Sequence, residues 1–304
     1  MLTRGTDTAG RVPRGRARHG AHIGGKLFNM PELTTFTRYV ALGDSFTEGL
    51  GDPYPDAADG FRGWADRVAE VLSAQAAAQA SEFAYANLAV RGKLVRQILA
   101  DQVEPAVRLQ PDLITISAGG NDVIRPGTDP DESAAVFEQV IAPLAATGAT
   151  VVAFTGVDVG WSGTFKAIRG KVAVYNEHLR AVAAKYGCLV ADQWSLKEIQ
   201  DARMWSIDRL HMSPLGHQAV ARMVLRTLGV PNDLPVLEPA PVPPRTWREA
   251  RAQDLQWAKE YAWPWVVRRI KHVSSGDGLP PKRPALAPLT PLVESARESV
   301  DEAR

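Results

Sequence analysis

"RYVALGDSFTEGLGD", residues 38–52, opens on Tyr39, Val40, Ala41 and Leu42 and then breaks into glycine, acid and hydroxyl residues. A run that is apolar at successive positions has no polar face. It predicts a strand buried on both sides, the habit of parallel sheets. Gly43 ends the run, and Gly49 and Gly51 mark turns just beyond. Ser45 therefore stands where a buried strand reaches the surface. It is either the cap of the following turn or a nucleophile displayed at a strand end.

Working outward, short apolar runs alternate with helical patterns from residue 38 to about 229. The strands are "RYVALG", "FAYANLAV", "PDLITISAGG", "TVVAFTG" and "CLVADQ". Between them lie "GFRGWADRVAEVLSAQAAAQ", with Phe61, Trp64, Val68, Val71 and Leu72 at helical spacing, and "KLVRQILADQVEPAVRLQ", with Pro105 a break or kink. "DESAAVFEQVIAPLAATG", "KAIRGKVAVYNEHLRAVAAKYG" and "SPLGHQAVARMVLRTLG" complete the helices. Five two-faced strands alternating with helices predict a three-layer α/β/α domain on a five-stranded parallel sheet, with ligands bound beyond the strands' carboxyl ends.

Flanking this domain, residues 1–37 read as a disordered basic leader. Residues 1–30 hold six Lys or Arg against Asp7 alone, with little apolar content, and Met30 is an alternative start. The leader lacks the apolar stretch of a secretory signal. Residues 230–304 read as a Pro-rich and helical C-terminal extension. Six prolines fall between 231 and 244, a helix is expected over "RTWREARAQDLQWAKEYAWPWVVRRIKH", and "LPPKRPALAPLTP" is proline-rich again. The stretch with Trp263, Trp265, Arg268, Arg269 and Lys271 is expected to pack on its own domain or a twin subunit rather than on an anionic membrane. A net charge of +1 gives no field for nucleic acid, and Cys188, the single cysteine, permits no internal disulfide or cysteine metal cluster. These features favour a cytoplasmic location.

Four strand ends carry residues suited to acyl transfer, which needs a nucleophile, a base, a group to orient the base, and donors for an oxyanion. Ser45 suits the first role. Gly92, in "NLAVRGK", lets a backbone N–H approach a carbonyl closely. Asn121, in "SAGGNDVIRP", offers a neutral amide donor, although a plain Gly-Asn-Asp turn is the blander reading. In "IDRLHMSPLGHQAV", Asp208 and His211 are three apart. A carboxylate at that offset can hold Nδ1–H and leave Nε2 free to accept a proton; a surface ion pair is the alternative. His217 competes as base but lies within a helical pattern and is expected to pack. Asp44 and Asp122 are expected to hydrogen-bond nearby rather than react. Asp158, Trp161 and Trp205, on the same rim, are candidates for contact with substrate. The chain has no G-x-S-x-G, H-E-x-x-H, P-loop or dinucleotide fingerprint.

"GDSFTEG", "NLAVRG", "GGND" and "DRLH" together resemble four blocks of the SGNH (GDSL-type) hydrolases, over roughly residues 38–229, with Phe46 where the family nickname has leucine. The resemblance implies a flavodoxin-like fold and ester hydrolysis without metal or cofactor. It implies a Ser45–His211–Asp208 triad and an oxyanion hole from Ser45, Gly92 and Asn121. The expected substrate is a small or medium acyl ester. An O-acyltransferase or carbohydrate deacetylase using the same site, and a binding domain without turnover, remain alternatives.

Overall fold

In the computed structural model, residues 35–54, 60–241, 246–264, 267 and 274–289 are described. Residues 1–34 of the basic leader, most of the 265–273 basic segment and the tail from 290 lie outside them, whereas Phe36, near the leader's end, is buried in the core. Strand β1 (Arg38–Leu42) leads into one helical turn, α1 (Ser45–Glu48), then α2 (Trp64–Ala78) and β2 (Ala84–Asn87). The next helix comes in three pieces: α3 (Val95–Ile98), a π-helical turn over Leu99–Val103, and α4 (Glu104–Arg108). The π turn sits immediately before Pro105, which has no N–H to continue the i→i−4 ladder; the expected break is thus a change of helical pitch. β3 (Leu113–Ile116) precedes α5 (Gly120–Val123) and α6 (Pro130–Ala145), and β4 (Thr150–Phe154) precedes α7 (Arg169–Tyr186). β5 (Leu189–Ala191), α8 (Pro214–Thr227), α9 (Trp247–Trp257) and β6 (Arg283–Pro288) complete the order.

The strands run β5-β4-β3-β1-β2-β6, with β1 to β5 parallel, which is the flavodoxin-like order with one strand added outside β2. The pleat divides β1 between two cores. Tyr39 and Ala41 face Trp64, Val68 and Leu72 of α2 and Val220 and Val224 of α8. Val40 and Leu42 face Ile98, Phe137 and Ile141, and Leu179 of α7, on the opposite side. Tyr39 through Leu42 are fully buried, as the uninterrupted apolar run requires. Each large side chain so buried contributes roughly 1.5–3 kcal/mol. Chain order reverses between β1 and β3, because β2 lies on the far side of β1. The loops after β1 and β3 therefore diverge and leave a crevice, and Ser45 and Asn121 stand on its two banks.

The sheet has six strands, not the expected five. β6 is antiparallel to β2 and pairs Ala84 with Pro288, Tyr85 with Ala287 and Asn87 with Arg283, with a register shift between Tyr85 and Asn87. Prolines weigh against a strand when read in sequence, but at a sheet edge a missing N–H can face away from the ladder. The Arg283 guanidinium lies 5.4 Å from the centre of the Tyr85 ring. Just before β6, Lys282 is almost wholly buried and donates to the Glu48 carbonyl and to Asp66 Oδ2, each at 2.7 Å. Asp66 also caps α2 through the Gly63 N–H at 2.9 Å. Lys282→Met strips the cation from a largely buried carboxylate, and we expect it to cost about 3 kcal/mol. A chemical-denaturation midpoint unchanged from wild type would rule this out. Among the described residues, no helix is long and apolar enough to cross a membrane.

Candidate active site

At the end of β1, Gly43 has φ +151°, and a side chain there would meet the Ser117 carbonyl at 2.7 Å. Its peptide is clamped from both sides by Gln102, which accepts from Gly43 N–H at 2.9 Å and donates to Gly43 O at 2.8 Å. The next residue settles how Ser45 is used locally. Asp44 is the N-cap of α1, its Oδ1 accepting from Phe46 N–H at 3.1 Å, and Gly49 closes the turn at φ +103°. Ser45 is the first residue inside the turn, so its backbone N–H has no partner within it. The capping alternative raised by the sequence falls to Asp44.

Three other loops meet this turn. Glu48 Oε2 accepts from Arg91 N–H at 2.6 Å, and Glu48 Oε1 accepts from Arg91 Nε at 2.9 Å, tying the Gly92 loop to α1. Gly92 has φ +75°, and a Cβ there would meet Ser274 Oγ at 2.1 Å. Asn121 lies on α5; its Nδ2 donates to Asp44 Oδ2 at 2.9 Å and to Lys93 O at 3.1 Å. Asp122 Oδ2 accepts from Val95 N–H at 3.0 Å. Asp44 and Asp122 thus make the local hydrogen bonds expected of them.

Before α8, Asp208 Oδ2 lies 2.6 Å from His211 Nδ1, and its Oδ1 accepts from the N–H groups of Leu210 and His211 at 3.0 Å each. Burial pushes the Asp208 carboxyl up, but the His211 hydrogen bond, its charge and the two backbone donors outweigh this and hold it below the usual range. Arg209, between them, sits in the left-handed region at φ +56°. It is held there by Asp254 at 2.8 Å and by the Trp257 ring, 4.7 Å away, while Trp257 Nε1 donates to the Asp208 carbonyl at 3.1 Å. Thus α9 of the extension braces the Asp208–His211 loop, and Ser274 backs Gly92. Sequence reading missed both contacts, since the extension matches no part of the motif pattern. The loop after α1 also reaches the histidine: a Cβ on Gly51 would stand 3.1 Å from His211 Cβ.

A cavity of about 180 Å³ opens here, bordered by Ser45, Asn121 and His211 and walled mainly by carbon, including Phe154, Val157, Val172 and Trp205. Of the other candidates, Gly92, Asp208, Asp158 and Trp161 are not on its walls. Asp158 instead accepts from Arg169 Nε at 2.6 Å and Nη2 at 3.0 Å, and from Gly160 N–H at 3.0 Å, a structural clamp. Trp161 packs against Trp205 with ring centres 5.9 Å apart and planes tilted by 41°, and Trp205 does face the cavity.

His217 is fully buried. Its Nδ1 accepts from Trp64 N–H and its Nε2 donates to Leu50 O, both at 3.1 Å. Burial pushes its pKa down to about 3, while burial pushes that of Asp44 up to about 6. The two act oppositely on stability. Unfolded, His217 takes its proton near 6.5, so its contribution is full above that pH and is lost as pH falls toward 3. Asp44 titrates near 3.8 when unfolded, so its contribution is full below 3.8 and is lost as pH rises through about 6. Between pH 6 and 4 the slopes offset one another. Asp44→Asn removes one of them, so its unfolding free energy should fall relative to wild type by about 1.4 kcal/mol per pH unit on acidification through that window. Parallel wild-type and mutant curves of urea midpoint against pH would refute the assignment.

A doubly wound sheet with such a cavity at its switch point defines a ligand-binding α/β class, and the family match below makes it an ester-hydrolysing one. The chain belongs to the GDSL-like Lipase/Acylhydrolase family, whose model matches residues 41–219. Among solved structures it is similar to LAE5, an alpha/beta hydrolase enzyme from the metagenome of Lake Arreo, Spain (24% identity, 65% of this chain and 97% of that one, TM-score 0.55). It is also similar to Axe2, an acetylxylan esterase from Geobacillus stearothermophilus (20% identity, 66% and 97% covered, TM-score 0.55). At these identities the likeness is one of fold. No curated protein matches the chain.

Proposed function

We propose that the chain is a serine esterase that cleaves carboxylic esters through Ser45, His211 and Asp208, with an oxyanion hole from the backbone N–H groups of Ser45 and Gly92 and the amide of Asn121. His211 Nε2 takes the Ser45 proton as Oγ bonds to the ester carbon, and the carbonyl electrons move onto oxygen. The tetrahedral adduct collapses, the C–O bond to the alcohol breaks, and His211 returns the proton to the leaving oxygen. Water then gives a proton to His211 and attacks the acyl-enzyme, releasing the acid and restoring Ser45. Asn121 contributes by turning one amide hydrogen from Lys93 O or Asp44 Oδ2 to the oxyanion, a tightening that occurs when substrate arrives.

The observation that carries this reading is that His211, held by Asp208 at 2.6 Å, borders the same cavity as Ser45 and Asn121. An alkyl fluorophosphonate tests it. The wild type should be labelled, and Ser45→Ala should not. Folded wild-type protein that stays unlabelled would favour a binding domain without turnover. Carbohydrate deacetylation is the second reading, suggested by the likeness to Axe2, but mainly apolar walls suit an acyl chain better than a sugar.

A further inference from the structure

Asp208 and His211 sit on a small hairpin whose two ends are held in different ways. At its base Trp205 and Met212 form an isolated antiparallel bridge, and Ser206 N–H donates to His211 O at 2.8 Å. Both Trp205 and Met212 wall the cavity, so the base is fixed by the domain itself. The tip is another matter. Arg209 holds φ +56°, a conformation that glycine adopts freely and other residues adopt at a cost. Relaxed to negative φ, Arg209 would turn the peptide that joins it to Asp208. That peptide aims the carboxylate, whose Oδ1 must reach the N–H groups of Leu210 and His211 while Oδ2 reaches His211 Nδ1.

The restraint on the tip arrives from α9, 45 to 49 residues further along the chain. Trp257 Nε1 donates to the Asp208 carbonyl at 3.1 Å, on the very peptide that would turn. The Trp257 ring lies 4.7 Å from the Arg209 guanidinium, and Asp254 Oδ1 accepts from Arg209 Nη2 at 2.8 Å. Asp254 and Trp257 are three apart and share one helix face, so a single face meets two consecutive residues of the hairpin. The helix gives the core little else. None of its side chains is buried, and Trp247 and Leu255 are largely exposed. A helix that served only to thicken the core would bury an apolar stripe.

We propose that Trp257 is a positioning residue for the Asp208–His211 pair: its indole N–H and ring, with Asp254 beside it, hold the 208–209 peptide in the orientation that keeps the Asp208 carboxylate on Nδ1 and leaves Nε2 free to accept a proton. Trp257 lies beyond residues 41–219, where the family model matches, so this role belongs to the extension. It serves hydrolysis only if the esterase reading holds, whereas its hold on the His211 ring rests on the hairpin and α9 alone.

Trp257→Phe keeps a ring and removes the N–H. It should lower kcat toward p-nitrophenyl acetate by about 3- to 10-fold, the equilibrium factor of one hydrogen bond, with KM within about twofold. Trp257→Ala also removes the ring from Arg209 and should lose about 10- to 50-fold. Because α9 buries no side chain, both variants should melt close to the wild type; if Trp257→Ala does not, Trp257→Phe carries the kinetic test. The loss should disappear once the pair is broken: in an Asp208→Asn background, Trp257→Phe should change kcat by less than about twofold. The His211 ring reports the same thing without turnover. At a pH where the ring is neutral, long-range proton–nitrogen NMR should place its proton on Nδ1 in the wild type and move a larger share to Nε2 in Trp257→Phe. Wild-type kcat in the Trp257 variants, a loss carried by KM, or equal losses with and without Asp208 overturns the proposal while wild-type turnover leaves the esterase reading intact. If the folded wild type cleaves no ester, that reading fails and the ring alone decides. A move of the proton toward Nε2 in Trp257→Phe then supports the role of Trp257, and an unchanged ring ends it.

Discussion

Ser45→Ala should lower kcat toward p-nitrophenyl esters by on the order of 10⁵- to 10⁶-fold, the loss seen when a triad serine or histidine is removed from a serine protease. The size follows from what disappears. Without the hydroxyl no acyl-enzyme forms, and turnover depends on water attacking a carbonyl held by whatever oxyanion donors remain. Those donors do not depend on the side chain. The backbone N–H of residue 45 stays at the head of α1, because Asp44 and Gly49 cap the turn and Gln102 clamps Gly43. Residual activity some 10³-fold above the uncatalysed rate is therefore expected, with KM nearly unchanged and the melting temperature within a degree or two of wild type. Steady-state kinetics on highly purified protein decides the matter. Retention of even one per cent of wild-type kcat would move the nucleophile to another residue.

The second large effect is expected from Asp208→Asn, about 10⁴-fold in kcat. Asp208 fixes His211 in two ways. Oδ2 holds Nδ1 at 2.6 Å, and Oδ1 takes two backbone N–H groups that set the loop. An asparagine keeps one accepting oxygen. If that oxygen stays on the backbone, its NH₂ faces Nδ1 and forces the proton onto Nε2, where no base remains for serine. The loop itself should survive, because α9 grips it independently through Trp257 and Asp254. The measured signature is therefore a fall in kcat with little change in KM or melting temperature. Activity within tenfold of wild type would mean a Ser–His dyad, with Asp208 serving the loop.

Much of the fold was legible because its signals are local. The run from Tyr39 to Leu42 is apolar on both faces, and a strand that must bury both faces belongs in a covered parallel sheet; five strands and their helices followed from that pattern. β6 was not legible. Its prolines oppose strand formation everywhere except on an edge, and whether a segment is an edge depends on what it docks against. His217 was expected to pack, and it does so in an extreme form: both ring nitrogens are spent on distant backbone, at Trp64 and Leu50, contacts no spacing rule could supply.

The candidate site divides in the same way. Asp208 and His211 are three residues apart, so their meeting is a property of one turn of backbone and could be read from spacing. Whether Ser45, 163 or more positions earlier in the chain, shares a cavity with them depends on strand order, because only the β2-β1-β3 reversal opens a crevice beside β1. Residue types and short spacings therefore determined the chemistry on offer: a hydroxyl and an amide just past strand ends, and a carboxylate-bound imidazole in the loop before α8. Tertiary structure alone decided that Asp44 rather than Ser45 caps the turn, that Asp158 clamps Arg169 instead of lining the cavity, and that Trp257 reaches the Asp208 carbonyl. The physical reason is range. Propensity, capping and hydrophobic period act over a few residues, whereas burial and hydrogen-bond satisfaction depend on neighbours that the chain brings in from far away.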